Sequence, residues 1–249
     1  MARMVNEKEF AARRSQILDT AQQLIYTRGY EQMSIQDIIR GVGMSKGAFY
    51  HYFESKPALM EALCDRMFQE AKDLILPIAD DPKLSAIEKF ELYFNTSARW
   101  KIARKDFLIE LLRIWYNDDN LIIREKVTRG GMTLVIPMFS RMIRQGISEG
   151  IFHTVYPEQV AEVVMSLVLT LGDSLSMYIL KSETISDQTE RNELVETINR
   201  LSLAYTEALE RILGCKPGSL NILDVDTLKA WLLTPREPLP AQQMREKGS

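Results

Sequence analysis

The residues best suited to chemistry lie in one short run, where lysines flank a block of aromatic side chains. Residues 43–56 read Gly-Met-Ser-Lys-Gly-Ala-Phe-Tyr-His-Tyr-Phe-Glu-Ser-Lys, with five rings in a row from Phe49 to Phe53. Successive residues of a helix point in different directions around its axis, so a short helix cannot bury five consecutive rings. Some rings must therefore face outward between Lys46 and Lys56, and exposed rings beside cations favour a nucleic-acid partner.

Two short helices joined by a glycine turn would position this run. Ser34 is a predicted N-cap of the first, Gly43 makes the turn, and Ser45 caps the second. A longer helix over about residues 7–28 precedes them, and Gly29 ends it. This pattern is typical of a helix-turn-helix unit, and the alternative is an ordinary helical hairpin in an all-α core.

The aromatic row divides between core and surface in such a unit. Phe49 and Phe53 are predicted core residues, whereas Tyr50 and His51 are predicted to face outward. For Tyr52 the choice stays open, because a ring at that position can also pack against the first helix.

Composition describes a globular chain whose charge is unevenly placed. Its 249 residues are 46% hydrophobic, and the formal net charge is −3. Residues 1–56 hold eight basic and six acidic groups, a balance of +2, whereas the remainder has a balance of −5. Screening limits electrostatic reach to about 8–10 Å, so the local excess supports a basic N-terminal module but does not decide its function alone.

Several classes of protein find no support in this sequence. No apolar run reaches the ~18 residues of a membrane span, and the charged N-terminus lacks a signal core, so we expect a cytoplasmic protein with no membrane role. Cys64, Cys215, His51 and His153 lack the spacing of a zinc cluster, and the cysteines are expected to be structural thiols. Without nucleophile-elbow, phosphate-loop or zinc-protease motifs, we expect no enzyme, no catalytic residue, no metal and no cofactor.

The rest of the chain is predicted to be helical. Apolar residues recur at helical spacing, with a loop at 77–83 and helices over about 57–76, 84–105, 106–116, 121–149, 157–181, 187–213 and 225–233. We therefore expect an all-α fold. Its predicted parts are a three-helix head over residues 1–56, a helical body over 57–234 and a disordered tail over 235–249.

The last two long helices have surfaces suited to a partner. Residues 157–181 are apolar on nearly every side for much of their length, and 187–213 have apolar residues at alternating spacings of four and three. The two helices are predicted to form a self-complementary homodimer face. The alternative is simple packing within one chain.

The run over residues 43–56, followed by Leu59, resembles the DNA-binding signature of TetR-family transcriptional regulators, and the resemblance covers about residues 10–64. Beyond it, only the helical layout and the segment 146–152 are similar. The resemblance implies a three-helix DNA-binding head, an all-helical ligand-binding and dimerisation body, and a homodimer joined through the last two long helices. One departure is Gly41, which costs about 1 kcal/mol in a helix relative to alanine and leaves the end of the second helix open.

The resemblance also implies which residues contact DNA. Lys46, Gly47 and Ala48 fall where the family's recognition helix meets base edges and backbone, and a glycine there permits close approach. Ser34 and Lys56 match phosphate contacts, although Ser34 is a helix cap first. The full set is Ser34, Ser45, Lys46, Gly47, Ala48, Tyr50, His51, Tyr52 and Lys56.

The body supplies soft apolar side chains suited to a small, largely apolar effector, although a place in the core is the alternative for each of them. The candidate ligand-binding residues are Trp100, Phe107, Trp115, Tyr116, Met138, Met142, Met165 and Met177. We expect a homodimeric repressor that this ligand releases from a palindromic operator in double-stranded DNA. The alternative is a dimeric helix-turn-helix regulator, repressor or activator, that is controlled by a protein partner or has no ligand.

Overall fold

The computed structural model describes residues 2–117, 121–223 and 225–233, and at residues 2–6, 122 and 123 it describes the backbone alone. Within these ranges the regular secondary structure is entirely α-helical, which confirms the predicted fold class. The predicted disordered tail, 235–249, lies outside the described residues.

The helices follow one another with short connections. They are α1 (Ala2–Arg28), α2 (Ile35–Val42), α3 (Lys46–Tyr52), α4 (Lys56–Asp80), α5 (Ala86–Ile102), α6 (Lys105–Trp115), α7 (Leu121–Ser148), α8 (Pro157–Ser182), α9 (Gln188–Leu213) and α10 (Val225–Leu232). Their number and order agree with the sequence pattern. α1 begins well ahead of its predicted start near residue 7, so its first turns are additional helix.

α4 is longer than predicted. It continues through Pro77 to Asp80, so the predicted loop at 77–83 is wrong over its first residues. Pro77 has no backbone N–H and so removes one hydrogen bond of the last turn, in which Ala79 is buried. The helix thus ends within one turn after the proline rather than at the proline itself.

The described residues form two compact units, and the first contains 2–67, 106–117 and 121–127. Its core is built by α1, α2, α3 and the first part of α4, together with residues of α6 and α7. Fully buried side chains include those of Ile17, Ala21, Ile25, Ile38, Phe49 and Leu59. These positions recur at helical spacing, so the apolar periodicity of the sequence accounts for this core.

The second unit contains 68–105, 128–223 and 225–233, with an aromatic cluster at its centre. Phe90 stacks on Phe139 with 5.4 Å between ring centroids, and Phe152 meets Phe90 edge-on at 5.7 Å. Gly146 makes room for Phe152, whose ring occupies the space that a Cβ at position 146 would need. The Gly146 carbonyl also accepts hydrogen bonds from the backbone N–H groups of Ile151 and Phe152. This turn is the segment that the sequence singled out beyond the head.

The last three helices pack together in the second unit. α8 packs against α9, and α10 lies on α5, α8 and α9. Arg191 Nη1 donates to the Leu232 carbonyl at 3.0 Å, and Lys105 Nζ donates to the Ala230 carbonyl at 3.2 Å. These bonds satisfy carbonyls at the C-terminus of α10 that the helix itself leaves unpaired.

The sequence predicts a DNA-binding head that ends at residue 56, which is a statement about function as well as about packing. The first compact unit continues beyond that residue and takes in parts of α6 and α7. Packing alone does not say which residues bind DNA, so the division after residue 56 stays a prediction.

Gly41 lets α1 and α2 approach closely. A Cβ built on Gly41 would lie 2.7 Å from the Thr20 methyl carbon, well inside van der Waals contact. Thr20 is held in place, because its hydroxyl donates to the Gln16 carbonyl at 2.9 Å. The glycine therefore serves packing, and α2 still ends at Val42, with Gly43 at a φ of 68° in the left-handed region.

The effect of Gly41→Ala on stability should depend on the residue at position 20. In the parent chain the added methyl group must displace Thr20, so the free energy of unfolding should fall by about 1–2 kcal/mol. In a Thr20→Ser background the obstructing methyl is gone and the hydroxyl is kept. Gly41→Ala should then raise the free energy of unfolding by up to about 1 kcal/mol through helix propensity. Urea unfolding of the four proteins measures both effects, and the same sign in both backgrounds contradicts this role of Gly41.

Candidate nucleic-acid interface

A capping box fixes the start of α2. The Ser34 hydroxyl accepts from the Asp37 backbone N–H at 3.1 Å. In return, the Asp37 carboxylate accepts from the Ser34 backbone N–H at 3.0 Å and from the Ser34 hydroxyl at 2.5 Å. Both donors of Ser34 thus point at one carboxylate, so a DNA phosphate would compete with that carboxylate for the hydroxyl. Ser34 is a helix cap, and its phosphate contact stays a prediction.

The same bonds keep Asp37 ionised. The hydrogen bonds from the Ser34 side chain and backbone hold the pKa of Asp37 below its usual range, and the charges of Arg28 and Arg40 lower it further. The nearest guanidinium nitrogens of Arg28 and Arg40 lie 3.7 and 3.9 Å from the carboxylate. The sequence reasoning passed over Asp37, although Ser-x-x-Asp ahead of an apolar run is the pattern that indicates such a cap.

Gly43 and Ser45 set the direction of α3. The Gly43 N–H donates to the Ile39 carbonyl at 3.0 Å and closes α2. The Ser45 hydroxyl accepts from the Ala48 N–H at 3.2 Å and opens α3. Accepting this bond uses a lone pair of the Ser45 oxygen and not its hydrogen, so the hydroxyl can still donate to a phosphate.

The aromatic row divides between core and surface. Phe49 is fully buried and Phe53 is 4% exposed, as the sequence predicts for both. Tyr50, by contrast, is 42% exposed, and His51 is exposed as well. Tyr52 is half-buried, which agrees with the packed alternative that the sequence left open. One side of α3 is therefore anchored in the core while the other faces solvent.

α1 meets the end of α3 through ring contacts. The Phe10 ring stacks on Tyr52 with 4.6 Å between centroids and meets the edge of His51 at 5.8 Å. One turn further along α1, the Arg14 guanidinium carbon lies 5.0 Å from the centre of the Phe53 ring. Sequence reasoning did not single out Phe10 or Arg14. The sequence signal for these contacts is a single phenylalanine in a polar stretch, four residues before an arginine. Residues four apart lie on the same face of a helix.

The first turn of α3 is exposed and flat. Lys46 and Gly47 are exposed, and Ala48 is half-buried. No described atom outside its own backbone surroundings lies within 4 Å of a Cβ built on Gly47. Internal packing therefore does not require a glycine there, whereas small side chains leave the backbone open to close approach by a duplex.

Lys56 is held within the protein. Its Nζ lies 4.1 Å from the Tyr30 ring centroid and 3.5 Å from the Glu31 carbonyl oxygen. Burial lowers the pKa of Lys56, and the charge of Glu31 opposes that shift. Burial also raises the pKa of the Tyr30 hydroxyl to about 12. A phosphate would have to meet a lysine that already rests on Tyr30, so this contact stays a prediction.

The predicted ligand-binding residues do not share one unit. Phe107, Trp115 and Tyr116 belong to the first unit and the other five to the second. Phe107 is buried, and together with residues of α1 it lines a cavity of about 280 Å³ within the first unit. The residues of α1 that line it are Asp19, Gln22, Gln23 and Tyr26. Their polar side chains suit a polar molecule better than the predicted apolar one.

In the second unit the candidates differ in burial. Met138, Met142 and Met165 lie in the buried core around the aromatic cluster, whereas Met177 is 55% exposed. Trp100 Nε1–H is buried without a hydrogen-bond partner among the described residues, and the Arg104 guanidinium lies over the indole ring at 4.5 Å. Burial agrees with the alternative that the three methionines are core residues, so their role in ligand binding stays a prediction.

The described residues offer little reactive or metal-binding chemistry. Cys64 and Cys215 are free thiols, and burial raises the pKa of Cys64 to about 12, which disfavours the nucleophilic thiolate. No three His, Cys, Asp or Glu side chains in the described part of the chain are placed to hold a metal ion.

Residues 17–63 match the family described as bacterial regulatory proteins, tetR family. Among curated proteins, the chain is 32% identical over 88 residues to the HTH-type transcriptional regulator EthR of Mycolicibacterium smegmatis, which is 34% of this chain and 41% of that protein. It is also 35% identical over 106 residues to an HTH-type transcriptional repressor of Mycobacterium tuberculosis, which is 41% of this chain and 54% of the relative. The chain thus spans about half the length of the curated relatives that it matches.

Solved structures extend the likeness beyond the head as a likeness of fold. A TetR transcription regulator from Haloarcula marismortui superposes with a TM-score of 0.61 at 20% identity, over 80% of this chain and 98% of that one. SmeT, the repressor of a Stenotrophomonas maltophilia multidrug efflux pump, superposes with a TM-score of 0.59 at 15% identity, over 85% and 95%. SmeT has also been solved in complex with triclosan, with a TM-score of 0.57 at 16% identity, over 86% and 98%.

Asp37→Asn should change the pH dependence of stability. The pKa of Asp37 is lowered in the folded chain, so its carboxylate stabilises the fold above the ordinary aspartate pKa near 4. That contribution is lost as the pH falls through the lowered value. The gap in the free energy of unfolding between parent and Asp37→Asn should therefore be widest near neutral pH and close below about pH 4. Urea unfolding from neutral to acidic pH measures the gap, and a constant gap contradicts the assignment.

Proposed function

We propose that this chain is a regulator of the tetR family, a homodimeric repressor released from a palindromic operator by a small, largely apolar ligand. In this proposal residues 1–56 bind DNA, and residues 57–234 bind the ligand and the second copy. The protein would work in the cytoplasm, where its operator lies.

The observation that carries the proposal is the outward face of α3. Phe49 anchors the helix in the core, and Lys46, Tyr50 and His51 are exposed. A lysine can donate to a phosphate or a guanine edge, and tyrosine and histidine can bond phosphates or bases. The nine residues named from the sequence form the proposed contact set.

Two copies would present two α3 helices to one duplex. Successive major grooves on one face of B-DNA lie about 34–36 Å apart, and a two-fold dimer reads the same half-site twice in opposite directions. The proposed operator is therefore an inverted repeat. A ligand would release it only by binding more tightly to a conformation whose α3 helices do not fit that spacing.

The surface of α8 supports a second copy as partner. By length and composition this helix is apolar enough to cross a membrane, the one such helix in the described part of the chain, yet only 22% of its apolar window is buried. Val163, Thr170 and Met177 are exposed and recur every seven residues, which makes one stripe along the helix. We call these three residues the α8 stripe.

Polar features near the α8 stripe favour a protein partner over a lipid one. The hydroxyls of Ser166 and Thr170 donate to carbonyls of their own helix at 2.9 Å, so they tolerate close packing against another helix. Asp173 lies exposed on the same helix, and α9, its neighbour, exposes Leu203 beside charged residues. Mixed surfaces of this kind fit a helix bundle between two copies.

Soft side chains in the second unit support a small effector. Methionines such as Met138, Met142 and Met165 can repack around a ligand, and SmeT, a protein of the same fold, binds triclosan in a solved complex. A regulator controlled by a protein partner, or by no ligand, is the alternative. A ligand that raises the melting temperature and weakens DNA binding supports the first candidate. Intact DNA binding with no melting shift across a chemical library favours the second.

Lys46→Ala should weaken DNA binding and its dependence on salt. Removing one phosphate-contacting cation lowers the slope of log affinity against log salt concentration by about one. Fluorescence anisotropy at several salt concentrations measures this with a duplex that the parent protein selects from random-sequence DNA. Lys83→Ala is the control, because Lys83 is also exposed but lies outside the head. Affinity and slope equal to those of the parent would contradict a role of Lys46 in DNA binding.

Met177→Glu should separate the dimer without unfolding the chain. Met177 is 55% exposed, so a charge there is tolerated in one chain but desolvated in the interface. We expect the dissociation constant of the dimer to rise at least about tenfold. Leu74→Glu is the matched control, since Leu74 is 47% exposed on α4, outside the α8 stripe. Analytical ultracentrifugation measures the dissociation constant of the dimer. Val163→Glu tests a second position of the α8 stripe, and an unchanged dissociation constant in both variants would contradict an interface on α8.

A further inference from the structure

Phe10 is an unusual residue in the N-terminal half of α1. The residues around it in the helix, including Glu9 and Arg13, are exposed, and Phe10 is itself 38% exposed. It does not belong to the core cluster of the first unit, nor to the segment 17–63 that matches the family. Neither core packing nor the shared domain therefore accounts for an aromatic ring at this position.

The Phe10 ring contacts two of the proposed DNA-contact residues. It stacks on Tyr52 with 4.6 Å between centroids and an interplanar angle of 27°, and it meets His51 at 5.8 Å and 88°. His51 and Tyr52 also meet each other edge-on at 5.6 Å. Stacked and edge-to-face pairs at these distances are the favoured aromatic geometries, so the three rings hold one another.

These contacts lie at the C-terminal end of α3. His51 and Tyr52 are the last two residues of the helix, and His51, which is exposed, could sample several rotamers without them. DNA binding would have to order such side chains, whereas rings that are already stacked lose less freedom on binding. Stacking also covers one face of the Tyr52 ring.

A second contact from α1 reaches the same end of α3. The Arg14 guanidinium lies over Phe53, four residues after Phe10 on the same face of α1. Through Phe10 and Arg14, α1 thus contacts three consecutive residues, His51, Tyr52 and Phe53.

We propose that Phe10 is a positioning residue of the DNA interface, which holds the His51 and Tyr52 rings in the orientations in which they meet DNA. The inference rests on the proposed function and extends the interface to Phe10 in the N-terminal half of α1. Phe10 acts through the two rings and does not itself need to touch DNA.

The ring contact can be tested without DNA. Phe10→Leu keeps an apolar side chain but removes the ring, and Phe10→Tyr keeps the ring. The chain has two histidines, so a His153→Gln variant assigns the imidazole signals in a proton–carbon NMR spectrum. We expect the His51 signals to lose their ring-current shift in Phe10→Leu and to keep it in Phe10→Tyr, with the His153 signals unchanged. Unchanged His51 signals in Phe10→Leu would overturn the proposal.

The positioning role is tested with a duplex that the parent protein selects from random-sequence DNA. In Phe10→Leu the affinity should fall about two- to tenfold, the range expected for losing an aromatic pair. The salt slope should not change, because no cation is removed. Phe10→Tyr should bind like the parent. In a Tyr52→Leu background, Phe10→Leu should lose most of its effect, because the stacking partner is already gone.

Controls separate this role from general stability and from the proposed function. Phe68→Leu removes a ring of similar exposure, 39%, from α4 and should leave DNA affinity unchanged. Melting temperatures show that the variants are folded. Parent-like affinity in folded Phe10→Leu, or an equal loss in Phe10→Tyr, overturns the positioning role. If the parent protein selects no duplex at all, the proposed function fails, while the NMR test of the ring contact still stands on its own.

Discussion

The proposed DNA-binding surface depends on which of the five consecutive rings, Phe49 to Phe53, the core of the first unit buries. Residues of an α-helix are about 100° apart around the axis, so Tyr50 and His51 lie about 100° and 200° around from Phe49. Phe53 follows the end of α3 in extended backbone and is buried there. Complete burial of Phe49 fixes the rotation of α3 about its axis. Tyr50 and His51 then face solvent, and Lys46 in the first turn is exposed as well. The caps at Ser34 and Ser45 decide where helices begin, whereas the burial of Phe49 decides what α3 presents to a partner.

The second unit contains an apolar helix surface that the single chain does not cover. Its centre is closed by the rings of Phe90, Phe139 and Phe152, with Gly146 yielding space for the last of them. α8 differs, because most of its apolar window lies outside the buried core of the single chain. We propose that a second copy covers this surface. In the proposed homodimer, two α3 helices would read an inverted repeat.

Much of this architecture can be predicted from sequence, because helix periodicity and caps are local signals. Local pattern together with the family resemblance predicts Phe49 and Phe53 in the core, Tyr50 on the surface and Gly43 at the turn. The stacking of Phe10 on Tyr52 does not, since it joins residues far apart in the chain and no periodicity links them. The prediction at Pro77 is wrong because a proline without an N–H can still lie in the last turn of a helix, and the sequence does not show how far that turn continues. Sequence alone does not tell whether the methionines line a ligand site or fill the core, because both kinds of position have the same helical spacing.

The central claim is that α3 reads a specific sequence in double-stranded DNA. Its most direct test is to sequence the fragments of the source genome that the full-length protein retains at physiological salt. The account predicts a strong enrichment of a few fragments that share an inverted repeat, with half-sites about 10–10.5 base pairs apart or a multiple of that distance. Retained fragments that match the input pool, with no shared motif, would contradict it.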